Sequence, residues 1–451
     1  MNDRLSPILL KELRQGIRSQ LFTGAFLLFQ TLLFFFGLSV VSSDWLRQDP
    51  ASGSVIFWLT VALPLVLLVP ATASQAVEKE VAGKTLELLL LTRLSSYRIV
   101  LGKWMSAVAQ SALILSSVLP YVILRYFLGG VDIWLDVKTM GALLLASCLL
   151  AGAAMGFWSV RIPRWAKLGG VLLLLWMIPM LLAVLFAPHG GLVGSPGVGS
   201  LLWPYGGLVM FMMLEAAAAR IGPPAENHTT RLRALSLVGL AAAFPLSRIS
   251  DAVAATMAVL IVLPTLVGSL NETVRPVARL YESFTRGSDL RRFAMLPFCP
   301  GWPGGLVYAV LVLLALPLLP AFAGKLGFFA WVGLVGTFLV PAALTRMLLS
   351  RSRRTTGYYL LLLALSTLPI YVSFVAEGLN IESASAVLRA MGGLVPPLAV
   401  VLELGYEGYE GARGVRTLLV ILTVASVMVM VRASRAEWRR IERFALESST
   451  S

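Results

Sequence analysis

Three consecutive residues in this chain have the order of a phosphate-binding motif. Gly83, Lys84 and Thr85 match the end of a loop that surrounds nucleotide phosphates with backbone amides and a lysine. The complete motif also needs a glycine five residues before Gly83, and Glu78 occupies that position. The sequence therefore predicts that this chain does not itself bind or hydrolyse ATP.

Metal-ligating and nucleophilic side chains are equally scarce. Zinc sites and disulfide frameworks need several cysteines or histidines at defined spacings, and the 451 residues include two of each. The cysteines are Cys148 and Cys299, and both His189 and His228 are interpreted as ordinary polar loop residues. No pair of carboxylates lies deep in an apolar run, as an intramembrane aspartyl protease would need. These patterns predict a protein that is not an enzyme and binds no cofactor or metal.

The composition is that of a membrane protein. Hydrophobic residues make up 58% of the chain and charged residues 13%, whereas soluble domains are about 25% charged. A helix needs about 20 apolar residues to cross a bilayer. The sequence predicts twelve such spans: 21–41, 55–77, 104–128, 139–160, 168–187, 201–219, 234–247, 252–270, 304–322, 327–349, 357–376 and 415–431. A further apolar stretch, 392–404, is interpreted as re-entrant or interfacial, which leaves open whether it is a full span.

Charge predicts the orientation of these spans. Lys and Arg accumulate in short cytoplasmic loops, and the chain has 37 of them against 23 acidic residues. Most of the basic residues fall on one side if both termini are cytoplasmic. The prediction is therefore an all-α, polytopic helical membrane protein of about 12 transmembrane helices in the cell inner (cytoplasmic) membrane. Because the excess charge is explained by topology, no nucleic-acid partner is expected.

The spans divide into two sets with a similar order of features. The predicted segments are an interfacial amphipathic helix (1–20), a first six-span unit (21–219) with a cytoplasmic loop (78–103), a cytoplasmic linker (220–233), a second six-span unit (234–431) with a cytoplasmic loop (271–303), and a basic cytoplasmic tail (432–451). Each set has an even number of spans, so a duplication would give two parallel six-helix halves. Coincidence among short loops is the alternative, and the sequence leaves both open.

The loop 78–103 is too apolar to be a free cytoplasmic loop. It predicts a Leu-rich helix, a turn around 92–96 and a second short helix that ends at Lys103. Such a segment needs a partner surface, either another protein or the membrane interface.

This loop resembles the corresponding loop of the membrane subunits of type-2 ABC exporters (ABC-2 permeases). The matching pattern is an acidic pair, a glycine and threonine, a Leu-Glu-rich helix and a polar turn, here Glu78, Glu80, Gly83, Thr85, Leu86, Glu87, Leu89, Leu90, Thr92, Arg93 and Ser95. The opening Ser6-to-Arg14 segment is similar to that family's N-terminal interfacial helix, and the resemblance covers roughly residues 1–220. Two positions depart from the family pattern, Lys84 and Arg93.

The resemblance implies a mechanism and a partner. In such exporters this loop forms a coupling helix that docks on a separate ABC ATPase subunit, which holds the ATP and Mg. The residues just named would then contact the ATPase, with Arg279, Arg286, Arg291 and Arg292 as a possible second contact. Other partners are the lipid bilayer and, if the chain is not two fused units, a second permease or another copy of the chain.

Two other functions remain open. An ion-coupled secondary transporter usually buries ionisable groups near the bilayer midplane. Here Arg125, Glu215, Arg346 and Glu403 fall near span or segment ends, where long side chains can snorkel towards water. A non-transporting membrane assembly or anchoring subunit is the third possibility.

Overall fold

The computed structural model describes sixteen stretches of the chain. They are residues 7–42, 50–82, 95–128, 132–159, 196–223, 225–248, 251–275, 277, 280–281, 284, 288–320, 322–323, 327–348, 355–378, 395–405 and 413–450. Within these residues every regular element is a helix. The chain forms two compact units, Met1–His228 and Thr229–Ser451.

The first unit contains seven α-helices in its described residues. They are α1 Pro7–Ile17, α2 Gln20–Ser42, α3 Pro50–Leu63, α4 Val69–Ala82, α5 Ser96–Leu128, α6 Ile133–Ser159 and α7 Pro196–Ile221. A π-helical turn, Pro64–Leu68, joins α3 to α4. The predicted amphipathic helix after Ser6 is present as α1. The predicted short helix ending at Lys103 is wrong, because α5 runs without a break from Ser96 to Leu128.

The second unit contains eight α-helices in its described residues. They are α8 Thr229–Leu246, α9 Asp251–Asn271, α10 Asp289–Met295, α11 Trp302–Ala315, α12 Phe328–Leu348, α13 Thr355–Gly378, α14 Pro396–Gly405 and α15 Arg413–Thr450. Short 3₁₀ turns, Leu296–Phe298 and Leu316–Leu318, flank α11. Helix α15 passes the predicted end of the last span at Val431 and continues through the predicted tail.

Several of these helices are long and apolar enough to cross a bilayer. Six segments of the described residues qualify: Phe22–Ser39, Gly53–Ala76, Ser96–Phe127, Ile133–Gly156, Phe328–Leu348 and Arg416–Arg443. Three shorter apolar helices are Pro204–Ala219, Met257–Asn271 and Gly357–Pro369. The chain is thus an all-helical, multi-pass membrane protein. The predicted span 168–187 lies outside the described residues.

Glycines allow close helix packing in the first unit. Helix α6 packs against α4, α5 and α7. A Cβ added at Gly152 would lie 2.4 Å from Met210 Cγ, and one at Gly156 would lie 2.6 Å from the Met213 carbonyl oxygen. Because small residues allow helix backbones to approach in lipid, this pair four residues apart sets the contact between α6 and α7.

The π turn leaves a backbone carbonyl that another helix satisfies. The Val69 amide donates to the Pro64 carbonyl, five residues earlier, and residue 70 is a proline, which has no amide hydrogen. The Leu65 carbonyl therefore lacks its usual partner in the helix, and Ser147 Oγ of α6 donates to it at 2.9 Å. Ser111 Oγ of α5 lies 2.8 Å from Ser147 Oγ, so three helices meet at this turn.

Helices of the second unit approach each other in the same way. A Cβ added at Gly305 of α11 would lie 2.0 Å from the Ser269 carbonyl oxygen of α9. At Gly333 of α12 it would lie 3.0 Å from the Pro396 carbonyl oxygen. Helix α12 also packs along α15, so α12 lies against both α14 and α15.

Candidate functional site

Both flanks of the predicted coupling loop are described. Glu78 and Glu80 lie in the last turns of α4. Ser95 immediately precedes α5, and its carbonyl oxygen accepts hydrogen bonds from the Arg98 amide at 3.0 Å and the Ile99 amide at 3.3 Å. The other predicted contact residues lie outside the described residues: Gly83, Thr85, Leu86, Glu87, Leu89, Leu90, Thr92 and Arg93. Since α4 packs against α5, the two ends of the loop leave adjacent helices.

The first turn of α5 is buried against the segment that follows α7. Ser96 is fully buried, and its hydroxyl has no hydrogen-bond partner in the described part of the chain. A Cβ added at Gly222 would lie 3.0 Å from Ser96 Oγ and 2.9 Å from His228 Nε2. Only glycine leaves room for both groups, so this junction holds the start of α5 in place.

A histidine between two carboxylates lies beside this junction. His228 Nδ1 is 2.7 Å from Glu215 Oε1, and His228 Nε2 is 3.0 Å from Glu226 Oε2. His228 and Glu215 are each 4% exposed. Each ring nitrogen therefore lies within hydrogen-bond distance of a carboxylate oxygen. The interpretation of His228 as an ordinary loop residue is therefore wrong: it joins α7 to the segment after it.

The N-terminal helix rests on the same half of α5. Helix α1 packs against α5, and a Cβ added at Gly16 would lie 2.2 Å from Gln110 Nε2. Thr72 of α4 is within hydrogen-bond distance of Gln110 Oε1, at 3.3 Å. Gln110 thus contributes to a contact among α1, α4 and α5, the three helices around the predicted coupling loop.

At the opposite end of α5, a buried ion pair joins three helices. Arg125 Nη1 donates to Asp136 Oδ2 of α6 at 3.4 Å, and Arg125 Nη2 donates to Ser54 Oγ of α3 at 2.6 Å. The Asp136 carboxylate also accepts from Trp58 Nε1 at 3.1 Å, and the guanidinium lies 4.3 Å from the centre of the Phe57 ring. Arg125 lies near the end of its span, as the sequence indicates, but it does not snorkel, because it finds buried partners on neighbouring helices. Glu215 is buried against His228 in the same way.

In the second unit, Arg233 holds the segment before α11. Arg233 is 1% exposed. Its Nη1 donates to the carbonyl oxygens of Pro297 and Cys299 at 2.9 and 2.7 Å, and its Nη2 donates to Glu272 Oε2 at 2.9 Å and the Gly301 carbonyl at 3.1 Å. One side chain therefore joins α8, the end of α9 and the turn at 297–301. Gly301 adopts φ +98°, a conformation that glycine accepts without strain.

The described parts of loop 271–303 also pack against the C-terminal helix. Tyr281, Cys299 and Ile441 are fully buried together, with Trp438 beside them. The Tyr281 hydroxyl accepts a hydrogen bond from the Arg275 amide at 3.1 Å. Burial raises the pKa of the Cys299 thiol and of the Tyr281 phenol to about 12 each. This loop and the end of α15 therefore form a small core of their own.

The second predicted contact is exposed where it is described. Arg291 and Arg292 are exposed on α10, and Arg292 Nη1 is 3.7 Å from Asp289 Oδ1. Arg279 and Arg286 lie outside the described residues.

Comparison with family models, curated proteins and solved structures finds no match to this chain. In the described residues, no three His, Cys, Asp or Glu side chains are placed to bind one metal ion.

These clusters are difficult to predict from sequence. Glu215 and His228 are 13 residues apart, and Arg233 meets carbonyls 64 to 68 residues away. The available signal was a charged residue next to a predominantly apolar helix, which in a membrane protein indicates a buried partner.

Proposed function

We propose that this chain is the membrane subunit of an exporter in the cell inner membrane, driven by ATP that a separate nucleotide-binding subunit hydrolyses. That subunit docks on loop 78–103, in the manner of the type-2 ABC exporters that the sequence resembles. The observation that carries the proposal is the continuity of α5 with the second flank of that loop. Helix α5 runs without a break from Ser96 to Leu128, so a force that reaches Ser96 acts on the whole helix.

Helix α5 is long enough to carry this movement across the bilayer. Its 33 residues span about 50 Å at 1.5 Å per residue. It contacts α1, α4, α6 and α7, and it ends near the Arg125–Asp136 pair. A shift at the ATPase would therefore move the contacts of both ends of α5 together.

Two polar clusters would be the points that change during transport. Glu215, Glu226 and His228 hold the α7 end beside Ser96, and Arg125 and Asp136 tie α5 to α6 at the far end. Buried charges are costly to separate, so each cluster favours one arrangement of helices until ATP binding supplies work.

Site-specific photocrosslinking tests the docking surface in native membranes. A photoreactive amino acid at Leu89 should crosslink to a soluble ATPase subunit. The same group at Trp134, which is exposed on α6 and predicted to face the other side of the membrane, should not. Crosslinks from Leu89 to lipid alone would contradict the proposal.

An ion-coupled secondary transporter is the second candidate, and the buried ionisable groups favour it. Glu215, His228, Arg125 and Asp136 are all buried, and such groups in membrane proteins mark ion and proton pathways. Transport by this mechanism would need a proton or ion gradient and no ATPase. Measurements in vesicles that impose a gradient without ATP distinguish the two candidates.

A further inference from the structure

Helix α10 carries apolar side chains that no other part of the described chain covers. Leu290 is 80% exposed and Phe293 is 73% exposed. At 100° per residue, Leu290, Phe293 and Ala294 share one side of the helix, and Ala294 is also exposed. A helix of seven residues is too short to be stable alone in water. Exposed apolar groups on so short a helix indicate a missing partner.

The turn before α11 fixes the direction of α10. The helical segment Asp289–Phe298 is bent by 88° relative to Trp302–Leu318. Arg233 binds three carbonyl oxygens within this turn, so the bend is held by buried hydrogen bonds. The sequence predicts a span over 304–322, and with α11 in that span α10 would run along the membrane surface where the apolar helix begins.

The charges on α10 indicate the kind of surface that it meets. At 100° per residue, Arg291 borders the apolar side, Arg292 lies opposite it, and Asp289, the one acidic residue of the helix, borders the other edge. Helices with aromatic and aliphatic residues on one side and arginines on the polar side are typical of those that bind anionic lipid surfaces. We propose that α10 binds the anionic headgroup surface of the bilayer, with Leu290 and Phe293 inserted and Arg291 and Arg292 at the phosphates.

This surface is assigned to lipid rather than to an ATPase because its exposed apolar residues share one side of the helix and Arg292 lies on the other, which is the distribution of an interfacial helix. The inference does not depend on the proposed exporter function, since a transporter of either kind could use it.

Spin-label accessibility in the full-length protein tests the proposal. The parent is Cys148→Ala, in which Cys299 is fully buried and serves as the labelling blank. Labels are placed at Phe293→Cys and at Ser288→Cys, an exposed position on the opposite side of the helix. The protein is reconstituted in phosphatidylcholine vesicles with and without phosphatidylglycerol.

In vesicles containing phosphatidylglycerol, the label at position 293 should collide with oxygen and be shielded from an aqueous nickel chelate. The label at position 288 should remain open to the chelate. Replacing either Arg291 or Arg292 by Gln should lower the ratio of label shielded from the chelate to label open to it, measured at position 293, about fivefold.

Three outcomes would overturn the proposal. A label at position 293 that is as open to the chelate as the one at position 288 would place α10 in water. Equal shielding with and without phosphatidylglycerol would remove the role of anionic lipid. Shielding in native membranes but not in vesicles would identify the partner as a protein.

Discussion

Replacement of Arg233 by Met should release the segment before α11 while leaving the rest of the second unit folded. The guanidinium donates to the carbonyl oxygens of Pro297, Cys299 and Gly301 and to the Glu272 carboxylate. Met fills part of the same volume but donates no hydrogen bond. The three carbonyls and the carboxylate then remain largely buried without this partner.

The expected loss of stability in Arg233→Met follows from the burial of the Arg233–Glu272 ion pair. Removing one member of a buried, hydrogen-bonded pair costs about 3–5 kcal/mol. Glu272 keeps 14% of its side chain exposed, which favours the lower end of the range. A loss of about 3 kcal/mol makes local opening roughly a hundredfold more frequent.

Cys299 reports this opening directly. Its thiol is fully buried in the parent, so a maleimide reagent should label it only when the segment opens. In a Cys148→Ala background, Arg233→Met should raise the labelling rate about a hundredfold. Arg233→Lys should fall between the two, because an ammonium cannot reproduce the donor geometry of a guanidinium.

The matched control is Arg231→Met. Arg231 lies on the same helix but is exposed, so its replacement should leave the labelling of Cys299 close to that of the parent. Equal labelling rates for Arg233→Met and the parent would refute the reasoning. Equal acceleration by both variants would show a general destabilisation rather than the release of this segment.

Three further predictions concern other parts of the chain. Asp136→Asn should lower the free energy of unfolding in detergent by about 3 kcal/mol, because Arg125 stays buried without its counter-charge. The double variant Arg125→Leu/Asp136→Leu should be more stable than Asp136→Asn, because it leaves no unpaired buried charge. Ser147→Ala should cost about 1–3 kcal/mol by leaving the carbonyl freed at the π turn without a donor, whereas Ser116→Ala, at an exposed position of α5, should be close to neutral in the same unfolding assay. The pKa of Cys299 is raised from 9.0 to about 12 by burial, so its contribution to stability should be complete below pH 9 and lost as the pH rises towards 12. In Cys299→Ala, the free energy of unfolding measured across this pH range should lose the part of its pH dependence that comes from this thiol.

The helical elements were the most predictable part of the fold. Long apolar runs can bury their backbone hydrogen bonds in lipid only as helices, so the span-like helices follow from composition. The helix after Pro7 followed from the alternation of Leu and charged residues, and the structure has it as Pro7–Ile17. Segments whose charge suggested a loop were harder to place, because α5 includes Arg98 and Lys103 in one continuous helix.

The candidate site was less predictable, for a physical reason. A buried charge depends on partners from distant segments, as when Arg233 meets the carbonyls of the turn before α11. Neither periodicity nor local propensity contains that information. His228 was misinterpreted in the same way, since its position between helices does not show that two carboxylates face its ring.

The most direct test of the account is purification of the tagged chain from its native membrane in mild detergent, with measurement of ATP hydrolysis and of the bound subunits. We expect a bound soluble ATPase, and charge reversal at Glu87 and Arg93 should remove it together with its activity. Charge reversal at Arg435, which is exposed on α15, should leave it bound. A chain that purifies without an ATPase, under conditions that preserve a known ABC exporter complex, would contradict the account.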